Sequence, residues 1–510
     1  MHFSKSHIIS MQPLAEALSL RGHNVTIYAA MQGEAAMPTT MDNGVTGRWV
    51  NLPKASEEDT KRFSKMIWTM DFGPMVMAWP FNLGNQALTK ILTKQPDAWW
   101  SVANETWDLI FADELFSQSS YAMALMSKQR HGKPFAVFST ADMLSTFASI
   151  NSLGRNPAVN PSFYTSSEPF SFNATSLLDR FYVTKDFIVE YLSVGLLSEY
   201  QSRSGVGQLG FNDFTWSSYF KEAQLIISDY PERMNHPVPT GNEIINIGAT
   251  CSVSNDKMTQ ELLSFVNDEK SRGTIYIAFG SNVQWDYAPE HVLDAFLTAI
   301  EALKEYRIIW SYKGPQLKVS NHVKILAWAP QIAILNHPKT KLFISHGGLK
   351  SLKEAICSAT PVVFMSIFAE QTHNALICNQ LGFAEYVNKH TVTGADLLRQ
   401  ARKVLENDAY LANVRKVKAM NNDRIMPPLE EDRMFLWLSD VGKRSLRETA
   451  KETFVCRRLA AGSRGRALCP GTTMAAARHV DDEAPKQLLS DQPHSAQPHA
   501  TEYPLQQRSP

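Results

Sequence analysis

The sequence lacks several features that mark common functional classes. Its 510 residues carry a formal net charge of +0, and no basic stripe is present. A nucleic acid is therefore not expected as a partner, because binding to phosphates needs clustered Lys and Arg. The five cysteines show no CxxC spacing, and the first 250 residues contain none. We accordingly expect neither a disulfide scaffold nor a zinc site.

Long apolar runs are also absent. The first residues, MHFSKSHIIS, contain no apolar run after a basic start, so a signal peptide is not predicted. No stretch approaches the roughly 20 apolar residues that a membrane-spanning helix needs. Neither half has a GxGxxG turn after a first strand with an acidic residue about 20 positions later, which argues against a nicotinamide-dependent oxidoreductase.

Two successive blocks of alternating strand and helix patterns make up most of the chain. Hydrophobic and charged contents of 44% and 20% are those of an ordinary globular protein, and the length indicates more than one domain. Strands are predicted at 25–29, 109–112, 134–139 and 225–228 in the first block, and at 274–279, 307–312, 323–328, 342–345 and 362–365 in the second. This alternation predicts an α/β protein with two doubly wound domains facing across a cleft.

The chain begins close to its first predicted helix. Pro13 suits the first position of that helix, and Leu14, Ala17 and Leu18 form its apolar face. A parallel strand normally precedes such a helix, and we expect it to be missing here or reduced to a stub. His7 would lie just ahead of the helix, where the strand's carboxyl end faces a ligand. From the residues alone, a mobile N-terminal residue is the default interpretation of His7.

Other features of the first block have a structural and a functional interpretation. Asp113 ends a buried strand, where a carboxylate either caps the next helix or serves a ligand site. The segment 66–84 is dense in Met, Trp and Phe, and either packs a helical core or lines an adaptable apolar pocket. Residues 151–220 are interpreted as an insertion over the sheet edge, and 237–241 as the approach to a linker.

The most informative stretch runs from Trp328 to Asn374. Its pattern predicts strand, turn, helix and strand, with His346, Gly347 and Gly348 in the turn. Two glycines at a helix N-terminus let backbone N–H groups approach a phosphate, and the helix dipole favours the negative charge. Alone this is a weak signal, because many α/β turns carry glycine for packing.

In combination, these positions closely resemble the nucleotide-sugar signature of the UDP-glycosyltransferase family, in its animal UDP-glucuronosyltransferase branch. The matching residues are Trp328, Pro330, Gln331, His337, Pro338, His346, Gly347, Gly348, Ser351, Glu354, Pro361, Glu370, Gln371 and Asn374. The resemblance covers residues 1 to about 441 and implies the GT-B architecture. It implies a Rossmann-like acceptor domain at 1–240, a Rossmann-like UDP-sugar domain at 241–425, and a returning helix at 426–441.

The resemblance also implies the roles of individual residues. His7 would be the catalytic base, and Asp113 would orient it and stabilise the imidazolium. The implied donor-binding residues are Ser281, His346, Gly347 and Gly348 near the diphosphate, Trp328, Gln331 and Glu354 at the uridine, Glu370 and Gln371 at the sugar, and Ser351. Structural alternatives remain open: a core position for Trp328, a solvated one for Glu354 and a helix cap for Glu370.

Lys350 departs from the family pattern, which commonly has asparagine at this position. Both a contact to phosphate and a weakened donor site remain open. The implied reaction is inverting transfer of glucuronate or glucose from a UDP-sugar to a hydroxyl of a small lipophilic acceptor, as in detoxifying conjugation. The UDP-sugar is a co-substrate. No metal or resident cofactor is expected, since there is no DxD-like cation site and no lysine context for the pyridoxal of a phosphorylase.

The two ends of the chain depart from the family, which has a signal and a membrane anchor and works in the endoplasmic reticulum. Without either, a soluble location also stays open. Residues 442–510 have few large apolar side chains and are predicted to form a disordered tail. The alternative function is a truncated, catalytically impaired UDP-sugar-binding protein. Homo-oligomerisation is left open.

Overall fold

The computed structural model describes residues 5–32, 39–151, 156–164, 172–238, 241, 243–251 and 256–424. Within them, strands and helices form two α/β lobes around parallel sheets. The predicted returning helix at 426–441 and the predicted tail at 442–510 lie outside the described residues. None of the helices in those ranges combines the length and the apolar character needed to cross a membrane.

The first lobe contains two parallel sheets. β1 (Thr26–Gln32) pairs with β2 (Thr46–Leu52). The larger sheet has the order β3 (Ile110–Asp113), β4 (Phe135–Ser139), β5 (Leu225–Ser228) and β6 (Ile244–Asn246). Because β6 pairs with β5, the first lobe extends beyond residue 240, where the sequence analysis placed its end.

Helix α1 (Lys5–Ser19) begins earlier than predicted. Pro13 lies inside it, and His7 lies in its first turn instead of ahead of it. A proline inside a helix omits one backbone hydrogen bond, and burial on two sides of α1 offsets this loss. Ala15 packs with residues of β1, and Leu14 packs with residues of β4, β5 and β6. The helix thereby connects the two sheets, which sequence periodicity alone did not indicate.

Helices surround these sheets. They are α2 (Glu57–Thr69), α3 (Trp79–Lys94), α4 (Pro96–Ala103), α5 (Gln118–His131), α6 (Ser145–Ile150), α7 (Leu177–Glu190), α8 (Ser198–Val206) and α9 (Trp216–Glu222). A 3-10 turn (Pro74–Ala78) precedes α3, and a π-helical stretch (Tyr191–Leu197) joins α7 to α8. The predicted insertion is therefore helical in its described part, and it packs on α3 and on the 3-10 turn.

The second lobe is built on one six-stranded parallel sheet. Its order is β12 (Ala384–Tyr386), β11 (Val362–Phe364), β10 (Thr340–Ser345), β7 (Thr274–Ala278), β8 (Arg307–Ser311) and β9 (Val323–Leu326). Its helices are α10 (Gln260–Val266), α11 (Glu290–Glu301), α12 (Gln331–Leu335), α13 (Leu349–Ser358), α14 (Gln371–Gln380), α15 (Gly394–Leu405) and α16 (Asp408–Asn422). Every residue of β7 is buried, as expected for a central strand covered on both faces.

Part of the first lobe is embedded in the second. Trp68, near the end of α2, is 1% exposed and packs in the core beside Trp285. Its Nε1 donates to the backbone carbonyl of Gln284 at 3.0 Å. The segment 66–84 therefore contributes to a core, as one of its two interpretations predicted: Trp68 packs in the core of the second lobe, and Met77 and Phe81 pack in the core of the first.

A disulfide joins Cys251, after β6, to Cys357 in α13. This pair departs from the expectation that the cysteines do not organise the fold through disulfides. The partners are 106 residues apart in sequence, so no local spacing pattern could indicate the bond. Cys378 is free and buried.

Candidate active site

A cleft of about 1820 Å³ is lined by residues of both lobes. His7 and Thr140 border it in the first lobe, and Ser281, His346 and Glu370 border it in the second. Ser281, His346 and Thr140 each follow the carboxyl end of a parallel strand, the edge at which open α/β sheets bind ligands. The structure thus brings the two predicted halves of the site to one cavity.

His7 and Asp113 form the pair that the sequence analysis predicted. His7 Nδ1 lies 2.8 Å from Asp113 Oδ2, and Asp113 is 2% exposed at the end of β3. Thr140 Oγ1 lies 2.9 Å from the same Nδ1. With the Nδ1 hydrogen held by Asp113 and Thr140, Nε2 is the basic nitrogen of the ring. Phe116 packs edge-on against the ring at 5.7 Å.

Glu114 is a buried group beside this pair that sequence reasoning missed. It is 4% exposed, accepts a hydrogen bond from Ser139 Oγ, and receives the backbone N–H of Leu144. Burial raises the pKa of the Glu114 carboxyl to about 8, so the side chain holds a proton at neutral pH. Asp113 and Glu114 are adjacent in the chain but bind different partners.

The predicted phosphate turn follows β10. Gly347 has φ +89, and a Cβ there would lie 2.9 Å from the Gln371 carbonyl oxygen. A Cβ at Gly280 or at Gly348 would meet the His346 ring at 3.0 Å or 2.7 Å. Glycine is therefore required on both sides of this ring as well as at the positive φ.

His346 is held in this glycine-lined position, half-buried, with its Nδ1 shielded from water. Burial lowers the pKa of the imidazole to about 4, so the ring is neutral at physiological pH. Its Nδ1 has no hydrogen-bond partner among the described residues. Burying a polar atom without a partner costs free energy. Nδ1 of His346 lies beside the N-terminus of α13, and a helix N-terminus favours a bound anion.

A polar network occupies the predicted uridine end. Gln331 Nε2 donates to Glu354 and, at 3.2 Å, to Ser351 Oγ, while Tyr276 OH donates to Gln331 Oε1 at 3.1 Å. Glu354 is 8% exposed, which excludes the solvated alternative. Burial raises the pKa of the Glu354 carboxyl, while Lys350, Gln331 and Lys353 oppose this shift.

Trp328 and Lys350 also border the cleft. The Trp328 side chain is 66% exposed, which excludes its core alternative and leaves a broad aromatic surface. The charge of Lys350 acts on Glu354 and on Asp229. The residue that departs from the family pattern therefore adds positive charge near two carboxylates.

Glu370 and Gln371 lie at the predicted sugar end. Glu370 precedes α14 without capping it through its side chain, so the helix-cap alternative fails. Burial raises the pKa of its carboxyl, while its own backbone N–H, the charge of His7 and the N–H of Leu349 lower it. The charge of His7 in the first lobe therefore acts on Glu370 in the second, and both residues line the same cleft.

Gln371 supports the loop before α14. Its Oε1 accepts the backbone N–H groups of Ile367 at 2.9 Å and Phe368 at 3.1 Å. Ala369 in this loop has φ +57, which costs energy for a residue with a β-carbon and persists only where surrounding contacts hold it. Such backbone strain has no sequence signal.

Another part of the cleft is apolar. Aromatic, methionine and leucine side chains line it, among them Met66, Phe72, Met77, Trp79, Leu83 and Phe163. Several belong to the segment 66–84, whose second interpretation was an apolar pocket. Thr140, Glu114 and Phe116 were not anticipated. Their position just after predicted strands was the one signal that could have indicated them.

Comparisons with known proteins agree with this architecture. A family model described as UDP-glucoronosyl and UDP-glucosyl transferase matches residues 185–454. The UDP-glucuronosyltransferase of Pleuronectes platessa is 32% identical over 192 residues, which are 37% of this chain and 40% of that protein. The UDP-glycosyltransferase UGT5 of Dactylopius coccus is 24% identical over 436 residues, 84% of this chain and 79% of that protein.

Solved glycosyltransferase structures share the fold. The glycotransferase of kitacinnamycin has a TM-score of 0.56 at 13% identity, and its alignment with this protein covers 86% of this chain and 97% of that chain. A Phytolacca americana UGT2, solved with UDP-2fluoro-glucose and pterostilbene, has a TM-score of 0.54 at 14% identity, with coverage of 86% and 98%. These similarities confirm the predicted GT-B architecture.

The family model matches more than half of the chain, and Trp328, Gln331, His346, Glu354 and Glu370 all line the cleft between the lobes. This chain belongs to the UDP-glycosyltransferase family, in its animal UDP-glucuronosyltransferase branch.

Proposed function

We propose that this protein transfers glucose or glucuronate from a UDP-sugar to a hydroxyl group of a small lipophilic acceptor, with inversion at the anomeric carbon. The observation that carries the proposal is the placement of the His7–Asp113 pair on the same cleft as the glycine-lined turn at His346. A direct displacement requires a base on one side of the anomeric carbon and a phosphate-binding turn on the other, and these two features lie on opposite lobes.

In the proposed mechanism, His7 Nε2 takes the proton of the acceptor hydroxyl as the oxygen attacks the anomeric carbon. The Asp113 carboxylate, hydrogen-bonded to Nδ1, stabilises the imidazolium that forms. The bond from the anomeric carbon to the diphosphate oxygen breaks on the opposite face, so an α-linked donor gives a β-linked product. UDP leaves with the electron pair.

Negative charge develops on the β-phosphate as this bond breaks. His346, neutral because its pKa is lowered to about 4 by burial, carries one ring N–H that can donate a hydrogen bond to this phosphate. Ser281 and the backbone N–H groups that open α13 provide further donors on the cleft wall. Fixed donors of this kind stabilise charge that appears only in the transition state.

The apolar lining supports a lipophilic acceptor. Met66, Phe72, Trp79 and Phe163 offer an adaptable hydrophobic surface on the cleft. For location we propose the lumen of the endoplasmic reticulum, because the Cys251–Cys357 disulfide persists in an oxidising compartment.

The test measures product formation from UDP-glucose and from UDP-glucuronate with a panel of simple phenols. His7→Ala is compared with His23→Ala, an exposed histidine outside the cleft. We expect His7→Ala to lose about 10²- to 10⁴-fold in turnover and His23→Ala to remain active. Calorimetric titration with UDP is run on all three proteins.

Unchanged turnover in His7→Ala would refute the base assignment. If the unmodified chain binds UDP but forms no product with either donor, the alternative function applies, namely a UDP-sugar-binding protein without turnover. Among the described residues, the β1–β2 sheet of the first lobe is not hydrogen-bonded to the β3–β6 sheet. This gap in the first lobe is the observation that favours the alternative.

A further inference from the structure

Two residues just after β5, Asp229 and Tyr230, connect the lobes, and neither belongs to the signature that carries the family resemblance. Asp229 is 3% exposed and forms an ion pair with Lys353 Nζ. The two side chains are 4% and 12% exposed, so the pair is shielded from water. Lys353 lies on α13, the helix that the phosphate turn opens. The first lobe is thus tied to the donor helix by a buried charge pair.

Asp229 also reaches the helix that carries the proposed base. Ser10 on α1 acts on the Asp229 carboxyl, lowering its pKa against the larger effect of burial. Ser10 and His7 are three residues apart on this helix, so they lie on neighbouring turns of one face. One carboxylate therefore interacts with both the donor helix and the base helix.

Tyr230 makes a second connection to the phosphate turn. Its hydroxyl donates to Asn374 Oδ1 at 3.0 Å, and Asn374 Nδ2 donates to the carbonyl of Gly347 at 2.9 Å. Tyr230 is 2% exposed and Asn374 is fully buried. A Cβ on Gly248 would lie 2.0 Å from the Tyr230 carbonyl carbon. Neighbouring residues therefore fix the position of the Tyr230 backbone as well as that of its hydroxyl.

We propose that Asp229 and Tyr230 are positioning residues that fix the distance between His7 on α1 and the phosphate turn before α13. Neither residue lines the cleft. They act through Ser10, Lys353 and Asn374. The inference rests on the proposed function, since a base and a leaving group must be aligned at once. Displacement by about 1 Å costs on the order of 10²-fold in rate.

The test uses Tyr230→Phe, which removes one hydroxyl, and Asp229→Asn, which removes the charge at nearly constant volume. Glu261→Gln is the matched control, because it breaks an ion pair with Lys324 in which the Glu261 side chain is 83% exposed. We expect each positioning variant to lose about 10- to 100-fold in kcat. UDP affinity should stay within about twofold, and Glu261→Gln should keep full turnover.

A double variant, Asp229→Asn with Lys353→Met, tests whether the pair acts as a unit. If it does, the double variant loses no more kcat than the single variants, because one interaction is removed once. Folded variants with undiminished kcat would overturn the proposal. Equal losses in kcat and in UDP affinity would also overturn it, since the residues would then shape the donor site itself.

A second measurement does not depend on turnover. Hydrogen exchange of the α1 amides is followed with and without UDP. In the unmodified chain UDP should slow exchange in α1, and in both variants this protection should be lost while protection of α13 remains. Should the unmodified chain show no turnover, the proposed function fails, and the exchange experiment still decides the inference. Equal α1 protection in variants and unmodified chain would refute it.

Discussion

Glu114 shows how burial of one side chain sets the charge beside the proposed base. Its pKa of about 8 results chiefly from desolvation, with hydrogen bonds from Ser139 and Leu144 acting in the opposite direction. At neutral pH the carboxyl is therefore protonated next to Asp113. A second negative charge at this place would compete with Asp113 for the imidazolium of His7.

The Glu114 carboxyl should make the stability of the protein depend on pH. Because its folded pKa lies above the ordinary value of 4.5, its stabilising contribution is fully present below about pH 4.5. The contribution is lost as pH rises through 8. Within this window the free energy of unfolding should fall by up to about 1.4 kcal/mol per pH unit from this group.

Urea unfolding at about pH 5 and about pH 8 measures this effect. We expect Glu114→Gln to show a clearly flatter pH dependence than the unmodified chain. Glu222→Gln, which changes an exposed carboxylate, should keep the original slope. Identical slopes for all three proteins would contradict the assignment of a buried, protonated Glu114.

Glu354 is expected to determine donor affinity. Its carboxyl is 8% exposed and oriented by Gln331, so a bound ribose hydroxyl would donate to a preorganised acceptor. Losing such a hydrogen bond and leaving a buried group unsatisfied costs about 1–3 kcal/mol. Glu354→Gln should therefore weaken UDP binding by about 10- to 100-fold in a calorimetric titration. Glu290→Gln, at the exposed start of α11, should bind UDP normally.

At the scale of elements, α2 shows that one segment can serve both lobes. Its residue Trp68 is buried in the core of the second lobe, while Met66 two positions earlier lines the cleft. Lys389 of the second lobe, 1% exposed, donates to the backbone carbonyls of Ile67 at 2.8 Å and Met70 at 2.7 Å. The end of α2 is thus fixed by apolar packing and by hydrogen bonds.

Truncating Trp68 should reduce the stability of the whole protein. Trp68→Ala removes a fully buried indole and its hydrogen bond to Gln284, for which about 3–5 kcal/mol is expected. Thermal unfolding and urea unfolding measure the loss. Trp328→Ala is the matched control: its side chain is 66% exposed, so stability should stay nearly constant while UDP affinity falls. Equal stability of both variants would show that α2 is not held by this contact.

Element prediction found the strands with clear apolar runs, missed β2, β6 and β12, and misplaced the start of α1. The apolar run at 342–345 corresponds to β10 (Thr340–Ser345), and that at 109–112 to β3 (Ile110–Asp113). Pro13 was placed at the start of a helix because propensity favours it there. It lies inside α1 because packing against both sheets overrides that preference.

At the scale of the molecule, the Cys251–Cys357 disulfide closes a chain segment of 106 residues that contains the core of the donor site. Closing a loop of this length stabilises the fold by about 2–5 kcal/mol. The double variant Cys251→Ser with Cys357→Ser should therefore unfold several degrees lower in a thermal scan. A reductant should lower the unfolding temperature of the unmodified chain to a similar value.

We expect the same reductant to leave the double variant unchanged, since Cys378, the cysteine that remains among the described residues, is buried and forms no disulfide. If the unmodified chain and the double variant unfold at the same temperature without reductant, the bond contributes no stability. UDP binding by the double variant shows whether α13 keeps its place without the covalent link.

The sequence by itself determined the family, the parallel strands and the glycine-lined turn of this protein. These features depend on a few neighbouring residues, whose apolar spacing and missing β-carbons act locally. Only the tertiary structure decided which side chains meet: Thr140 with His7, 133 residues apart, Asp229 with Lys353, 124 apart, and Cys251 with Cys357, 106 apart. Such partners are chosen by how the lobes pack, and packing depends on the whole chain at once.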